Sequence, residues 1–183
     1  MREIKIMVIE DSPETRNTLK DIFEMSFAGT DTPCKVIANS TGEEAFEKLE
    51  GGVTPNIIIL DINLPGMNGG EALRKLKGSN EWKKIPVFPY SSLWDEKTDL
   101  PFDEHLKVVK DWYEAADHSF KTGDRTLGQV TPKYKGQEST STIHPRLVVF
   151  VASVLIQQGF ELSLSFRMLV DTARKVIGEL KTK

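Results

Sequence analysis

Apolar residues recur along this chain in two rhythms, and the rhythms alternate. Ile6-Met7-Val8-Ile9 is an unbroken apolar run. So short a run, ended by acids, predicts a strand buried on both faces over about Lys5 to Ile9. Ser12-Pro13-Glu14 then opens a helix, with a capping side chain, a proline at the first position and an acid in the first turn. Leu19, Ile22, Phe23 and Phe27 recur on one face of it. Val36-Ile37-Ala38 reads as a short second strand. Thr41-Gly42-Glu43-Glu44 has capping-box spacing, Ala45, Phe46 and Leu49 form the buried stripe, and Gly51-Gly52 ends the helix. Asn56 to Leu60 is the third strand, and Leu64-Pro65-Gly66-Met67-Asn68-Gly69 leads into a helix with Ala72, Leu73 and Leu76 inward.

Ile85 to Tyr90 reads as a fourth strand. Pro89 within it removes a ladder donor, so a bulge or a shortened pairing is expected there. Asp95 to Pro101 reads as a loop, followed by a helix carrying Leu106, Val109, Trp112 and Tyr113, with His118-Ser119-Phe120 as a short fifth strand. This alternation implies a parallel sheet with helices on both faces. The pattern then changes. Gly123 to Thr142 is rich in Gly, Ser, Thr and Lys and predicts an exposed loop. Leu147 to Gln157 is apolar almost all round, as a buried helix would be, and Gly159 can end it. Leu162, Phe166, Leu169, Ala173, Val176 and Leu180 alternate four and three apart. That is a heptad stripe on a last helix, suited to intramolecular core or to a homodimer seam.

Composition narrows the class. The chain has 183 residues, 39% hydrophobic and 28% charged, which fits a soluble globular domain with a full core. A formal net charge of -3 gives no general attraction to nucleic acid, and the C-terminal segment lacks a basic recognition helix. Cys34 stands alone, so an internal disulfide is impossible and a reducing compartment fits. Met1-Arg2-Glu3-Ile4-Lys5 has no signal-peptide hydrophobic block. Leu147 to Ile156, the longest apolar stretch, is too short to span a bilayer. A cytoplasmic location without membrane attachment is expected.

The candidate chemistry lies at strand ends. Glu10-Asp11 follows the first strand and Asp61 the third. Ligand sites of open α/β sheets lie outside the carboxyl ends of their strands. Three carboxylates delivered to one rim repel each other unless a cation joins them, and oxygen-only ligands favour a hard ion such as Mg²⁺. Asn63, Ser91 and Lys121 follow in order at the later strand ends.

These residues carry a family resemblance. Val8-Ile9-Glu10-Asp11-Ser12, Ile59 to Gly69, Ile85-Pro86-Val87 through Ser91-Ser92, and Ala116-Asp117-His118-Ser119-Phe120-Lys121 together resemble the receiver domain of two-component response regulators, over about residues 3 to 122. The resemblance implies a flavodoxin-like, doubly wound α/β fold: a five-stranded parallel sheet in the order 2-1-3-4-5, with an added C-terminal helix. It divides the chain into a receiver core (1–122), an exposed insertion loop (123–145) and C-terminal helices (146–183). Asp61 would accept a phosphoryl group from the phosphohistidine of a sensor histidine kinase or phosphotransfer protein. Glu10, Asp11, Asp61 and the backbone carbonyl of Asn63 would hold Mg²⁺. Ser91 would hydrogen-bond the new phosphoryl group, Lys121 would pair with it, and His118 occupies the position of an aromatic switch residue. The protein would be a phosphoacceptor rather than an enzyme in its own right.

Several features depart from the family pattern. Thr122 stands where a proline commonly follows the lysine, and Leu93 to His105 and Gly123 to Thr142 are longer than usual. The first expectation is therefore a stand-alone response regulator that switches contacts with a downstream protein. The alternative is an interaction module that keeps the fold and works without phosphorylation. A flavin or nucleotide enzyme is disfavoured, because Glu10-Asp11-Ser12-Pro13-Glu14 repels a cofactor phosphate and has no glycine to expose amides. An aspartyl-phosphate hydrolase would want a second acid where Asn63 stands.

Overall fold

The computed structural model describes residues 2–90, 133–134, 137–138 and 145–180. Four strands form one parallel sheet: β1 (Ile4–Ile9), β2 (Cys34–Asn39), β3 (Ile57–Asp61) and β4 (Val87–Tyr90). Their order is β2-β1-β3-β4, the flavodoxin-like arrangement over the strands described. The expected fifth parallel strand at His118-Ser119-Phe120, the helix before it and the loop from Asp95 to Pro101 lie outside the described residues.

Both sheet faces are covered, which is why the strands are apolar throughout. On one face Ile4, Ile6, Val8, Ile57 and Ile59 meet α1 (Pro13–Ser26), α4 (Pro145–Gln157) and α5 (Leu164–Leu180). On the other, Met7, Ile9, Ile58 and Leu60 meet α2 (Gly42–Glu50) and α3 (Gly69–Gly78). Successive strand residues thus serve opposite cores, as the period of two requires.

Side chains start the helices. The Ser12 hydroxyl accepts the Thr15 N–H at 3.3 Å, and the Thr41 hydroxyl accepts that of Glu44 at 3.2 Å. The reciprocal capping box expected at Thr41 does not close, because the Glu44 carboxylate accepts from Ser40 N–H at 2.7 Å instead. A complete box forms at α3, where Asn68 and Glu71 each accept the other's backbone N–H.

Pro89 produces no bulge. Leu60 stays in register with Pro89 and Asp61 with Tyr90, while the strand begins two residues later than expected. Ile58 N–H donates to the Pro86 carbonyl, so the even-numbered residues of β4 face β3. The nitrogen of Pro89 therefore lies on the far side, where its missing hydrogen costs the β3–β4 ladder nothing.

The outer edge of β2 is occupied by side chains. Pro33 and Asn39 give their carbonyls to β1, which leaves Val36 and Ala38 facing outward. Glu24 of α1 accepts the Val36 N–H at 2.9 Å, and Lys48 of α2 donates to the Ala38 carbonyl at 3.1 Å.

The central residues of the C-terminal stripe, Phe166, Leu169 and Ala173, go into the core. The Phe166 ring lies 6.1 Å from that of Phe23 and 5.0 Å from that of Phe27, and Leu169, Val170 and Ala173 are buried beside it. These positions are unavailable for the dimer seam that the heptad spacing also allowed. In the segment read as loop, β5 (Lys133–Tyr134) and β6 (Gln137–Glu138) pair antiparallel. Two residues per strand is too short for apolar alternation to register.

Candidate functional site

The carboxyl ends of β1 and β3 are neighbours in the sheet, with Ile9 paired to Leu60. Glu10 and Asp11 are the first and second residues after β1, and Asp61 closes β3. One carboxylate oxygen from each of Glu10, Asp11 and Asp61 lies within 4.8 Å of the others. Glu10 and Asp61 are buried and Asp11 is exposed at the mouth.

Backbone amides hold two of the three. Glu10 Oε1 accepts the Ser12 N–H at 3.1 Å, and Asp61 Oδ1 accepts the Asn63 N–H at 3.0 Å. Glu10 Oε2 is buried without a hydrogen-bond partner among the described residues. Asp11 makes no side-chain hydrogen bond there; its backbone is held instead. Arg16 Nη1 donates to the Glu10 carbonyl at 2.6 Å and to the Asp11 carbonyl at 3.1 Å.

Crowding the acids has an electrostatic cost. Burial, and then the Asp61 charge, pushes the Glu10 carboxyl up from 4.5 to about 7. Burial also raises Asp61; the Asn63 N–H opposes this and the Asp11 charge adds to it. A buried, unpartnered carboxylate oxygen facing two more carboxylates is the donor set a hard divalent cation takes, so the residues present fit Mg²⁺. Glu10 and Asp61 would release their raised proton affinity to the ion.

The loop after β3 is fixed from two sides. Gly66 has φ +74°, the left-handed conformation that a turn after Pro65 asks of glycine. Glu43 of α2 accepts the Met67 N–H at 2.9 Å. Gly69 sits against the strand end: a Cβ there would meet the Asp61 carbonyl at 2.3 Å and the Ile62 Cα at 2.6 Å. A second tier stands behind β1. Buried Asn39 donates to the Val8 carbonyl at 3.1 Å and accepts from Lys48 at 2.6 Å, while its own carbonyl takes the Glu10 N–H.

Of the residues singled out from sequence, Glu10, Asp11 and Asp61 are brought together, and Asn63 is exposed with its amide on Asp61. Ser91, Lys121 and His118 lie outside the described residues. Sequence reasoning missed Arg16, Glu43 and Asn39. Arg16 alone carries a usable signal, a cation one turn into the helix that follows an acidic pair. Nothing in the spacing of Glu43 or Asn39 marks them.

Comparison with known proteins gives the family. The family described as response regulator receiver domain matches residues 6–100. A protein-glutamate methylesterase/protein-glutamine glutaminase of Treponema denticola is 37% identical over 105 residues, covering 56% of this chain and 26% of that protein. The chemotaxis protein CheY1 of Helicobacter pylori is 32% identical over 84 residues, covering 46% of this chain and 64% of the relative. This chain thus matches about a quarter of the methylesterase and somewhat less than two thirds of the chemotaxis protein. A solved signal receiver domain of a histidine kinase from Syntrophus aciditrophicus is 28% identical, with TM-score 0.45, over 60% of this chain and 70% of that one. Among the described residues no helix is long and apolar enough to cross a membrane. The acidic rim and the match over more than half its length place this chain in the response regulator receiver family of two-component phosphorelay signalling.

Proposed function

We propose that this chain is a phosphorylation-dependent switch in which Asp61 accepts the phosphoryl group and Glu10, Asp11, Asp61 and the backbone carbonyl of Asn63 hold Mg²⁺. The observation that carries the reading is the convergence of three carboxylates within 4.8 Å around a buried Glu10 oxygen that has no partner. An Asp61 oxygen forms the new bond to phosphorus as the bond to the donor nitrogen breaks. That nitrogen, on a histidine of a sensor kinase or phosphotransfer protein, keeps the electron pair and takes up a proton. When bound, the metal covers charge on the transferred oxygens. The chain's own part is placement. The Asn63 N–H orients Asp61 and favours its ionised form, and Gly69 lets α3 start against the Asp61 carbonyl. Ser91 and Lys121 are assigned to the phosphoryl group and His118 to the switch, on their positions in the sequence.

The output is a protein contact with a downstream target in the cytoplasm. Supporting this, Phe166, Leu169, Val170 and Ala173 of α5 pack into the same core as α1, α4 and the sheet, and the C-terminal segment carries no basic recognition helix. Incubation with acetyl phosphate and Mg²⁺ should add one acid-stable, base-labile phosphoryl group to the wild type and none to Asp61→Asn, followed by intact mass. Labelling that persists in Asp61→Asn rejects the assignment. A wild type that takes no label and ignores Mg²⁺ leaves the phosphorylation-independent interaction module.

A further inference from the structure

The three acids are not held alike. Glu10 is tied through its side chain to the Ser12 amide, and Asp61 to that of Asn63. Asp11, the exposed member, has no side-chain hydrogen bond among the described residues, yet its carboxylate lies within reach of both others. A short exposed side chain without a partner goes where its backbone aims it. That backbone leaves β1 and must turn into α1 within three residues. Across the turn, the Glu10 and Asp11 carbonyls are gathered by a single nitrogen, Arg16 Nη1, at 2.6 and 3.1 Å.

We propose that Arg16 is a positioning residue for the metal site: by clamping those two carbonyls it aims the Asp11 carboxylate at Glu10 and Asp61. The inference rests on the reading of the three acids as a Mg²⁺ site. It reverses the sign that simple electrostatics gives. A guanidinium beside three carboxylates repels an incoming cation, so its removal should tighten Mg²⁺ binding if charge were its whole effect. If aim is its role, removal weakens binding despite the lost repulsion. Groups that orient metal ligands typically contribute tenfold or more to affinity, and roughly tenfold weakening is expected here.

The test measures Mg²⁺ dissociation constants by titration calorimetry on the full chain: wild type, Arg16→Ala, Arg16→Met (which keeps the stem) and Arg16→Lys (which keeps the charge). Metal-free thermal melts accompany each. The expected result is weaker binding by about an order of magnitude in Arg16→Met and Arg16→Ala. Phosphorylation by acetyl phosphate in these variants should recover its wild-type rate at saturating Mg²⁺, which a general loss of folded protein would not do. Arg16→Lys reports whether one ammonium can span both carbonyls; wild-type affinity in Lys and loss in Met supports the clamp, as does loss in both. Equal or tighter binding in Arg16→Met overturns it. Should Arg16→Ala fail to fold, Arg16→Met and Arg16→Lys decide alone; should neither fold, the residue holds up the fold and the proposal is rejected. A wild type that binds no Mg²⁺ removes the underlying reading instead, which is a different outcome from a binding wild type with an indifferent variant.

Discussion

Replacing Glu10 with glutamine should make the metal-free protein more stable. Glu10 is 3% exposed and its proton affinity rises from 4.5 to about 7 on folding. Between those values the folded chain holds the proton that the unfolded chain has lost. The contribution of Glu10 to stability is therefore greatest below about pH 4.5 and is lost as pH rises through about 7. At about 1.4 kcal/mol per unit, keeping Glu10 ionised at pH 8 costs the folded state about 3 kcal/mol. Glu10→Gln keeps an acceptor for the Ser12 N–H and removes both the buried charge and its repulsion of Asp61. For a chain of this size the gain corresponds to a melting temperature higher by roughly 6–12 °C. Calorimetric melts in chelator at pH 8 should show that rise, and at pH 5 it should largely vanish. Adding Mg²⁺ should lift the wild type, by about 2.7 kcal/mol at a hundredfold excess over its dissociation constant, and leave the variant nearly unmoved. A Glu10→Gln protein that melts no higher than wild type at pH 8 without metal would falsify the account of the acidic rim.

Two further substitutions test the supports of the site. Gly69→Ala puts a methyl 2.3 Å from the Asp61 carbonyl, against backbone that cannot step aside. The helix-propensity gain of up to about 1 kcal/mol is outweighed by overpacking of about 1–3 kcal/mol, so urea unfolding should show a net loss, and equal or greater stability refutes the close approach. Phe166→Ala empties a ring site against Phe23 and Phe27 and should cost about 3–5 kcal/mol in the same assay. A change under about 1 kcal/mol would mean that α5 contributes little to the core.

Most of the sheet was legible because buried parallel strands write themselves as unbroken apolar runs. Ile57 to Leu60 could hardly be anything else between turn residues, and the acid after such a run marks the rim. Helix starts were legible where one side chain caps one amide, as at Ser12. The misreadings arose where a group had two partners in reach. Glu44 could close its own box or take the Ser40 amide, and spacing cannot choose between them. At Pro89 a bulge or a shortened pairing was expected; the strand is two residues shorter and has no bulge, a choice left open because sequence does not tell which edge of β4 a nitrogen faces. The heptad stripe was ambiguous because core and seam ask for the same residues, and only the positions of Phe23 and Phe27 decide. In the site, carboxylates were legible through their strand ends. Arg16 and Glu43 were not, since what they touch is backbone, which leaves no residue-type signature in the partner.

The placement of Glu24 and Lys48 on β2 also bears on how other proteins can engage this one. A peptide seeking to lengthen the sheet at that margin would need the Val36 amide and the Ala38 carbonyl, and both are already committed to side chains. Recruitment by strand addition is closed there without first dislodging an anion and a cation anchored on two different helices. Selective contacts must be made elsewhere on the surface, and stray self-association through that margin is suppressed by the same two residues.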